Sequence, residues 1–266
     1  MLTAVAHIPS PALNQCELTF LSPQPIVFEN ARRQHNSYCD MLRRCGVDVI
    51  ILAKNVSLPD SVFVEDTALV LDEMAIVTSM GVVSRQQETE LINTELARFR
   101  TIEQLLPPAR LEGGDVLRIG KRLYVGLSSR TNREGVQALE QLVKRYDYQV
   151  IPVNVTGCLH LKTGCTALDD QTVLINPTWV DSKPFESFKR LVVPNEEPFA
   201  ANILRIGNTV CLHSGFIRTR QMIEQLRYNL ELTDISEFLK AEAGLTCMSL
   251  IFKAQSTTVD STSGAQ

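Results

Sequence analysis

Residues 115–126 read DVLRIGKRLYVG, two short apolar runs hinged on Gly120-Lys121. Runs of that length joined by a tight polar turn read as strand, turn, strand. The same arrangement returns in TALDDQTVLINP (166–177), in NILRIGNTVCLHS (202–214) and in the runs 67–71 and 75–78, joined at Asp72 and Glu73. Helical periodicity lies between them at 86–99, 132–146 and 220–230, and apolar strands such as 149–153 follow several of these segments. With turns near 73, 120, 170 and 207, the spacing is that of internal repeats, and four units are visible. A fifth assembles if 246–252 pairs with 4–8, joining the two ends of the chain into a closed ring without exposed sheet edges. An open α/β sheet with hairpin insertions fits the same pattern. At the N-terminal side, 25–45 has helical spacing with Gly46 as its stop, and 47–52 reads as a buried strand.

A chain of 266 residues, 44% hydrophobic and 21% charged, suits one domain, assigned to 1–254. The Ser-, Thr-, Gly- and Gln-rich remainder, 255–266, reads as a disordered tail. A net charge of −4 spread over mixed acids and bases offers no cationic face for nucleic acid or a lipid surface, so neither is expected as a partner. No export signal and no run near the ~18 apolar residues of a membrane span is seen, and the expected location is the cytoplasm. Seven cysteines without a CxxC pair read as reduced thiols, and neither a metal nor any other cofactor is expected.

The informative polar residues recur at one place in the units, just before the first hairpin strand. Glu65-Asp66 precedes TALVL, Glu112-Gly-Gly-Asp115 precedes VLRIG, His160 precedes LKTGCTAL and Cys247 precedes MSLIF. In a radial fold such positions converge on one axis. A thiol supplies a nucleophile, an imidazole supplies acid and base, and carboxylates receive the paired N–H groups of a guanidinium. The pattern therefore points to an arginine-like substrate. Taken singly, Cys247 reads as a small core residue and His160 as a hydrogen-bonded core histidine. Glu65-Asp66 resists such a reading, because acids between VFV and ALV are costly to bury unless a cation pairs with them.

The ordered motifs LPDSVFVEDTALV, LEGGDVL, VGLSSRTN, HLK and GLTC, spread from about residue 8 to about residue 253, resemble the dimethylarginine dimethylaminohydrolases of the guanidine-modifying superfamily. The resemblance implies a five-bladed α/β propeller of pseudo-symmetric ββαβ modules. It implies Cys247 as nucleophile, His160 as general acid/base and Glu112 as the group that orients the histidine. Asp66, with Glu65, would hold the guanidinium, and Phe63 would shape the pocket beside it. Asp60 and the carbonyls of Leu18 and Ala241 would meet the α-amino group, and Arg85 and Arg130 would clamp the α-carboxylate. Neighbouring residues of a strand face opposite ways, so Asp66 is preferred to Glu65 as the side-chain contact unless the strand has ended there.

The implied reaction is hydrolysis of methylated arginine to citrulline through a covalent thiouronium on Cys247; the partner is a small molecule, and the assembly the resemblance admits is a homodimer. Arginine deiminase chemistry on unmethylated arginine shares most of these residues. An amidinotransferase and a non-catalytic arginine-binding module are further readings, the last needing the carboxylates and arginines but no thiol.

Overall fold

The computed structural model of the chain describes residues 1–54 and 56–254. The expected tail, 255–266, lies outside the described residues. In chain order come β1 (Leu2–His7), α1 (Phe28–Arg44) and β2 (Asp48–Leu52). Then follow β3 (Ala68–Val70), β4 (Met74–Val77), α2 (Glu88–Leu96) and β5 (Thr101–Gln104), and next β6 (Val116–Ile119), β7 (Arg122–Leu127), α3 (Arg133–Val143) and β8 (Gln149–Asn154). A single helical turn, α4 (Leu161–Gly164), leads into β9 (Cys165–Ala167), β10 (Thr172–Ile175) and β11 (Lys189–Val192). The last unit holds β12 (Leu204–Ile206), β13 (Thr209–His213), α5 (Ile217–Glu224) and β14 (Asn229–Thr233), before α6 (Ser236–Leu239) and β15 (Leu250–Lys253).

These strands form five three-stranded sheets, and the middle strand of each is antiparallel to one neighbour and parallel to the other. A hairpin followed by a parallel crossover is the ββαβ module, and its recurrence gives the propeller-like α/β fold. The ring closes as the repeats suggested: β1 pairs antiparallel with β15, Val5 opposite Leu250, and parallel with β2, Val5 opposite Ile50. Gly120 and Gly207 turn two of the hairpins at φ of 61° and 59°, the left-handed region that glycine enters without a Cβ clash.

Two units depart from expectation. The helical segment expected over 220–230 ends at Glu224, Arg227 takes a φ of 62°, and Leu230 lies in β14 opposite Val210. Leu226, Tyr228, Leu230 and Leu232 all pack on that module's core, so a period of two prevails over the helical one near the boundary. In the fourth unit the crossover to β11 has only a 3-10 turn, Lys183–Phe185, anchored by Phe185 stacked on Tyr124 at 4.7 Å.

The packing fixes the centre of the ring. One face of α1 buries Ala31, His35, Tyr38, Cys39, Met41 and Leu42. From that face the Tyr38 hydroxyl donates to Leu245 O at 3.0 Å and meets Ser249 Oγ at 2.6 Å, tying the helix to both sides of Cys247. A single helical turn stands before the first hairpin strand of every module, at 64–67, 113–115, 161–164, 198–201 and 246–248. Neighbouring turns touch: 64–67 contacts 113–115 and 246–248, and 161–164 contacts 113–115 and 198–201. Among the described residues no helix is long and apolar enough to cross a membrane.

The entry to α3 is fastened by Asn132, whose side-chain oxygen accepts from Gly135 N at 2.8 Å and Arg110 N at 2.9 Å. Asn132→Ala is expected to cost about 1–2 kcal/mol, measured as a lower urea midpoint with an unchanged denaturant slope.

Candidate active site

Placing the acids on tight turns, and not on strands, decides where they point. Residues 64–67 form a 3-10 turn, so Glu65 and Asp66 diverge by about a third of a turn. Glu65 receives Lys162 Nζ at 2.5 Å and the Thr246 hydroxyl at 2.7 Å, and lines a channel of about 390 Å³ with Lys162. Asp66 faces the other way, into a pocket lined also by Asp60, Phe63, Arg85, Arg130, His160, Ala241 and Cys247. Both acids are buried with internal cations, so the expected unpaired carboxylates are absent: Arg85 Nη1 donates to Asp66 Oδ2 at 2.7 Å. Leu18 is half-buried in the segment beside the pocket, where the lining residue is its neighbour Glu17.

His160 precedes α4, and its ring lies between two carboxylates. Nε2 is 2.8 Å from Glu112 Oε2 and Nδ1 is 3.6 Å from Asp66 Oδ1. Burial alone would lower its pKa, but the charges of Asp66, Asp115 and Glu112 outweigh that and hold it at about 9. Burial likewise works against Glu112, yet the imidazolium and the guanidiniums of Arg85 and Arg130 bring its carboxyl down to about 2. Gly114 allows this approach, since a Cβ there would stand 2.6 Å from both Asp66 Oδ1 and His160 Nδ1. Asp115, fully buried, accepts from Leu161 N at 2.9 Å and Ser128 Oγ at 2.6 Å and so sets the turn that carries His160.

Cys247 sits on the 246–248 turn and accepts a long N–H contact from Gly244 at 3.3 Å. Burial, then the charges of Glu65 and Asp66, push its thiol well above the ordinary range, so without a further cation it stays protonated. The Thr246 beside it is braced by a reciprocal pair with Asn202, Thr246 N to Oδ1 at 3.1 Å and Nδ2 to Thr246 Oγ1 at 3.0 Å.

The two arginines are not equivalent. Arg85 gives Nε–H and one Nη2–H to Glu88, another Nη2–H to Phe63 O and an Nη1–H to Asp66. Of five N–H donors only one remains, so a paired grip on a carboxylate is unavailable from Arg85 in this state. Arg130 makes only long contacts, 3.4 Å to Glu112 Oε1 and 3.4 Å to Thr19 Oγ1, and keeps donors to offer.

A strap, 17–21, covers the pocket and is held by the pocket's own acids. Asp60 accepts from Glu17 N at 3.2 Å, and Glu242 accepts from the backbone N–H groups of Thr19, Phe20 and Leu21. Sequence reading missed Glu17, Glu88, Lys162 and Glu242. Glu88 stands three residues after Arg85, a spacing at which a charged partner is expected, and Glu242 directly follows Ala241, but neither carries a motif.

Four carboxylates (Glu17, Asp60, Asp66, Glu242), two guanidiniums and one imidazole line a cavity of only about 10 Å³. The excess of acids suits a cationic ligand, and the cavity is far smaller than the ~300 Å³ or more of ordinary ligand pockets.

Residues 13–182 match the family described as N,N dimethylarginine dimethylhydrolase, eukaryotic. The N(G),N(G)-dimethylarginine dimethylaminohydrolase of Pseudomonas aeruginosa is 36% identical over 85% of this chain and 89% of its own. Its Streptomyces coelicolor counterpart is 33% identical over 93% and 95%. A solved structure of a cysteine-to-serine mutant of the Pseudomonas aeruginosa protein, complexed with citrulline, superposes with a TM-score of 0.90 at 33% identity, covering 94% of this chain and 98% of that one. An arginine deiminase of Rhodococcus opacus is 27% identical over 59% of this chain and 44% of its own.

Because His160 is raised from 6.5 to about 9, the stability it contributes is fully present below pH 6.5 and is lost as pH rises through about 9. The stability gap between the protein and His160→Gln should therefore narrow by on the order of 3 kcal/mol across that window, read by urea unfolding at each pH. Gly114→Ala should displace the ring and bring the His160 titration, followed by NMR, back toward 6.5.

Proposed function

The chain belongs to the dimethylarginine dimethylaminohydrolase family, and from that premise we propose that it hydrolyses Nω,Nω-dimethylarginine and Nω-monomethylarginine to citrulline, releasing dimethylamine or methylamine. The observation that carries the reading is the His160 ring, held between Glu112 and Asp66 and lining the same buried pocket as Cys247.

In this reading Asp66 receives the substrate guanidinium, and Phe63, set edge-on against Phe238 at 6.3 Å, gives the pocket a firm apolar wall. Asp60 and the carbonyls of Ala241 and Leu18 take the α-ammonium once the strap has shifted. Arg130 takes the α-carboxylate with two donors, Arg85 with one. Glu65 acts at a distance, its side chain committed to Lys162 and Thr246.

The raised thiol explains why the reaction awaits its substrate. A bound guanidinium offsets the acids beside Cys247 and favours the thiolate, the thiol proton passing to solvent since His160 already carries its own. The sulfur adds to the guanidinium carbon, the C–N bond to the dimethylamine nitrogen breaks, and that nitrogen leaves with the His160 proton. The neutral imidazole then takes a proton from water, which adds to the thiouronium carbon. The C–S bond breaks, citrulline leaves, and the thiol is regenerated. Glu112 keeps the imidazole oriented through both proton transfers. The catalytic unit is taken as residues 1–254.

Citrulline formation from dimethylarginine, monomethylarginine and arginine, assayed in parallel, tests this reading; the methylated substrates should be preferred. Cys247→Ser and His160→Ala should each lower kcat by roughly three orders of magnitude or more. Rapid turnover by Cys247→Ser would exclude the covalent route, and a preference for arginine would make the protein a deiminase. Glu242→Gln, which weakens the anchor the strap must leave before substrate enters, should lower KM by up to about tenfold, the size of one charge-assisted hydrogen bond.

A further inference from the structure

Glu88 has no part in the mechanism above, yet it determines how Arg85 is presented. It is the first residue of α2, where an acid could be explained by the helix dipole. Its Oε2, however, accepts from both Nε and Nη2 of Arg85, at 3.1 Å and 2.8 Å, and its Oε1 accepts from Nε at 3.2 Å. Both side chains are almost fully buried, 3% exposed for Arg85 and 4% for Glu88. A carboxylate that engages both donors of that edge, one of them through both of its oxygens, fixes a guanidinium in plane and not merely in position. Phe63 O holds the far Nη2–H at 3.1 Å and Asp66 takes one Nη1–H at 2.7 Å. The single donor left without a hydrogen bond is the second Nη1–H; Nη1 stands 4.0 Å from Glu112 Oε2, and Arg85 lines the pocket with Cys247 and His160.

We propose that Glu88 is a positioning residue that turns Arg85 edge-on, so that one guanidinium braces Asp66 and offers a single aimed N–H to the substrate's α-carboxylate. The device makes the enzyme selective for substrates carrying that carboxylate. The proposal rests on the hydrolase reading given above. Without Glu88 the guanidinium keeps its charge but loses its fixed plane, and the remaining donor is no longer aimed at one point. Contact with the carboxylate weakens while Asp66 still meets the reacting guanidinium, so the loss belongs to KM and to one end of the substrate.

The test is kcat and KM for Nω,Nω-dimethylarginine and for its decarboxylated counterpart, Nω,Nω-dimethylagmatine, in the wild type, Glu88→Ala and Glu88→Gln. Glu88→Ala should raise KM for dimethylarginine about 10- to 100-fold, the worth of one charged hydrogen bond, with kcat within a few-fold. KM for dimethylagmatine should stay nearly unchanged, so the wild-type preference for the carboxylate collapses. Glu88→Gln keeps one acceptor oxygen and should recover part of the difference; should Glu88→Ala fail to fold, Glu88→Gln alone decides by the same ratio. Equal changes for both substrates, or a lowered melting temperature with an unchanged KM ratio, would overturn the proposal. Absence of citrulline from either substrate with the wild type would instead defeat the hydrolase reading. Calorimetric titration of the wild type and variant with citrulline would then judge Glu88, a tenfold loss of affinity supporting it and equal affinity refuting it.

Discussion

Burying carboxylates is the constraint around which this molecule is organised. Glu65, Asp66, Glu112 and Asp115 all lie on the tight turns at the centre of the ring or at their edge, each less than a tenth exposed. A carboxylate in such a place is tolerable only with hydrogen bonds and counter-charges close by. Each finds at least one partner on another module: Glu65 on Lys162 and Thr246, Asp66 on Gly114 N, Glu112 on His160, Asp115 on Leu161 N. Radial repetition allows this, because it brings equivalent turns of different modules into contact. The centre of the fold and the chemistry of the site are thus held by the same bonds.

The charge balance also bears on the two groups the proposed reaction uses. Asp66, Asp115 and Glu112 favour the protonated form of His160, while burial, with the charges of Glu65 and Asp66, favours the thiol of Cys247. On the proposed roles, acid and nucleophile are both present, with the nucleophile in its unreactive form. In the proposed reaction a guanidinium cation alters that balance, and the strap anchored by Asp60 and Glu242 has to release to admit it.

Much of this was legible in the sequence. The hairpins at 115–126 and 202–214, with a glycine at each turn, carried the repeat, and the pairing of the chain's ends followed from needing a fifth module. The recurring polar position before each first strand located Asp66, Glu112, His160 and Cys247. Other features depend on three-dimensional contact that no spacing encodes. Which way Glu65 turns depends on a 3-10 turn of four residues, and the commitment of Arg85 to Glu88 and Phe63 O is a matter of side-chain reach. The helix boundary near Arg227 was missed because the apolar residues at 226, 228 and 230 satisfy both periods over a short window.

The central claim is that one sulfur, Cys247, carries the amidino carbon during turnover. Acid quenching of the enzyme while it turns over dimethylarginine, followed by peptide mass mapping, tests it most directly. The account predicts a thiouronium adduct on the peptide containing Cys247 and on none of the other six cysteine positions. Citrulline production accompanied by an adduct on a different residue would contradict it.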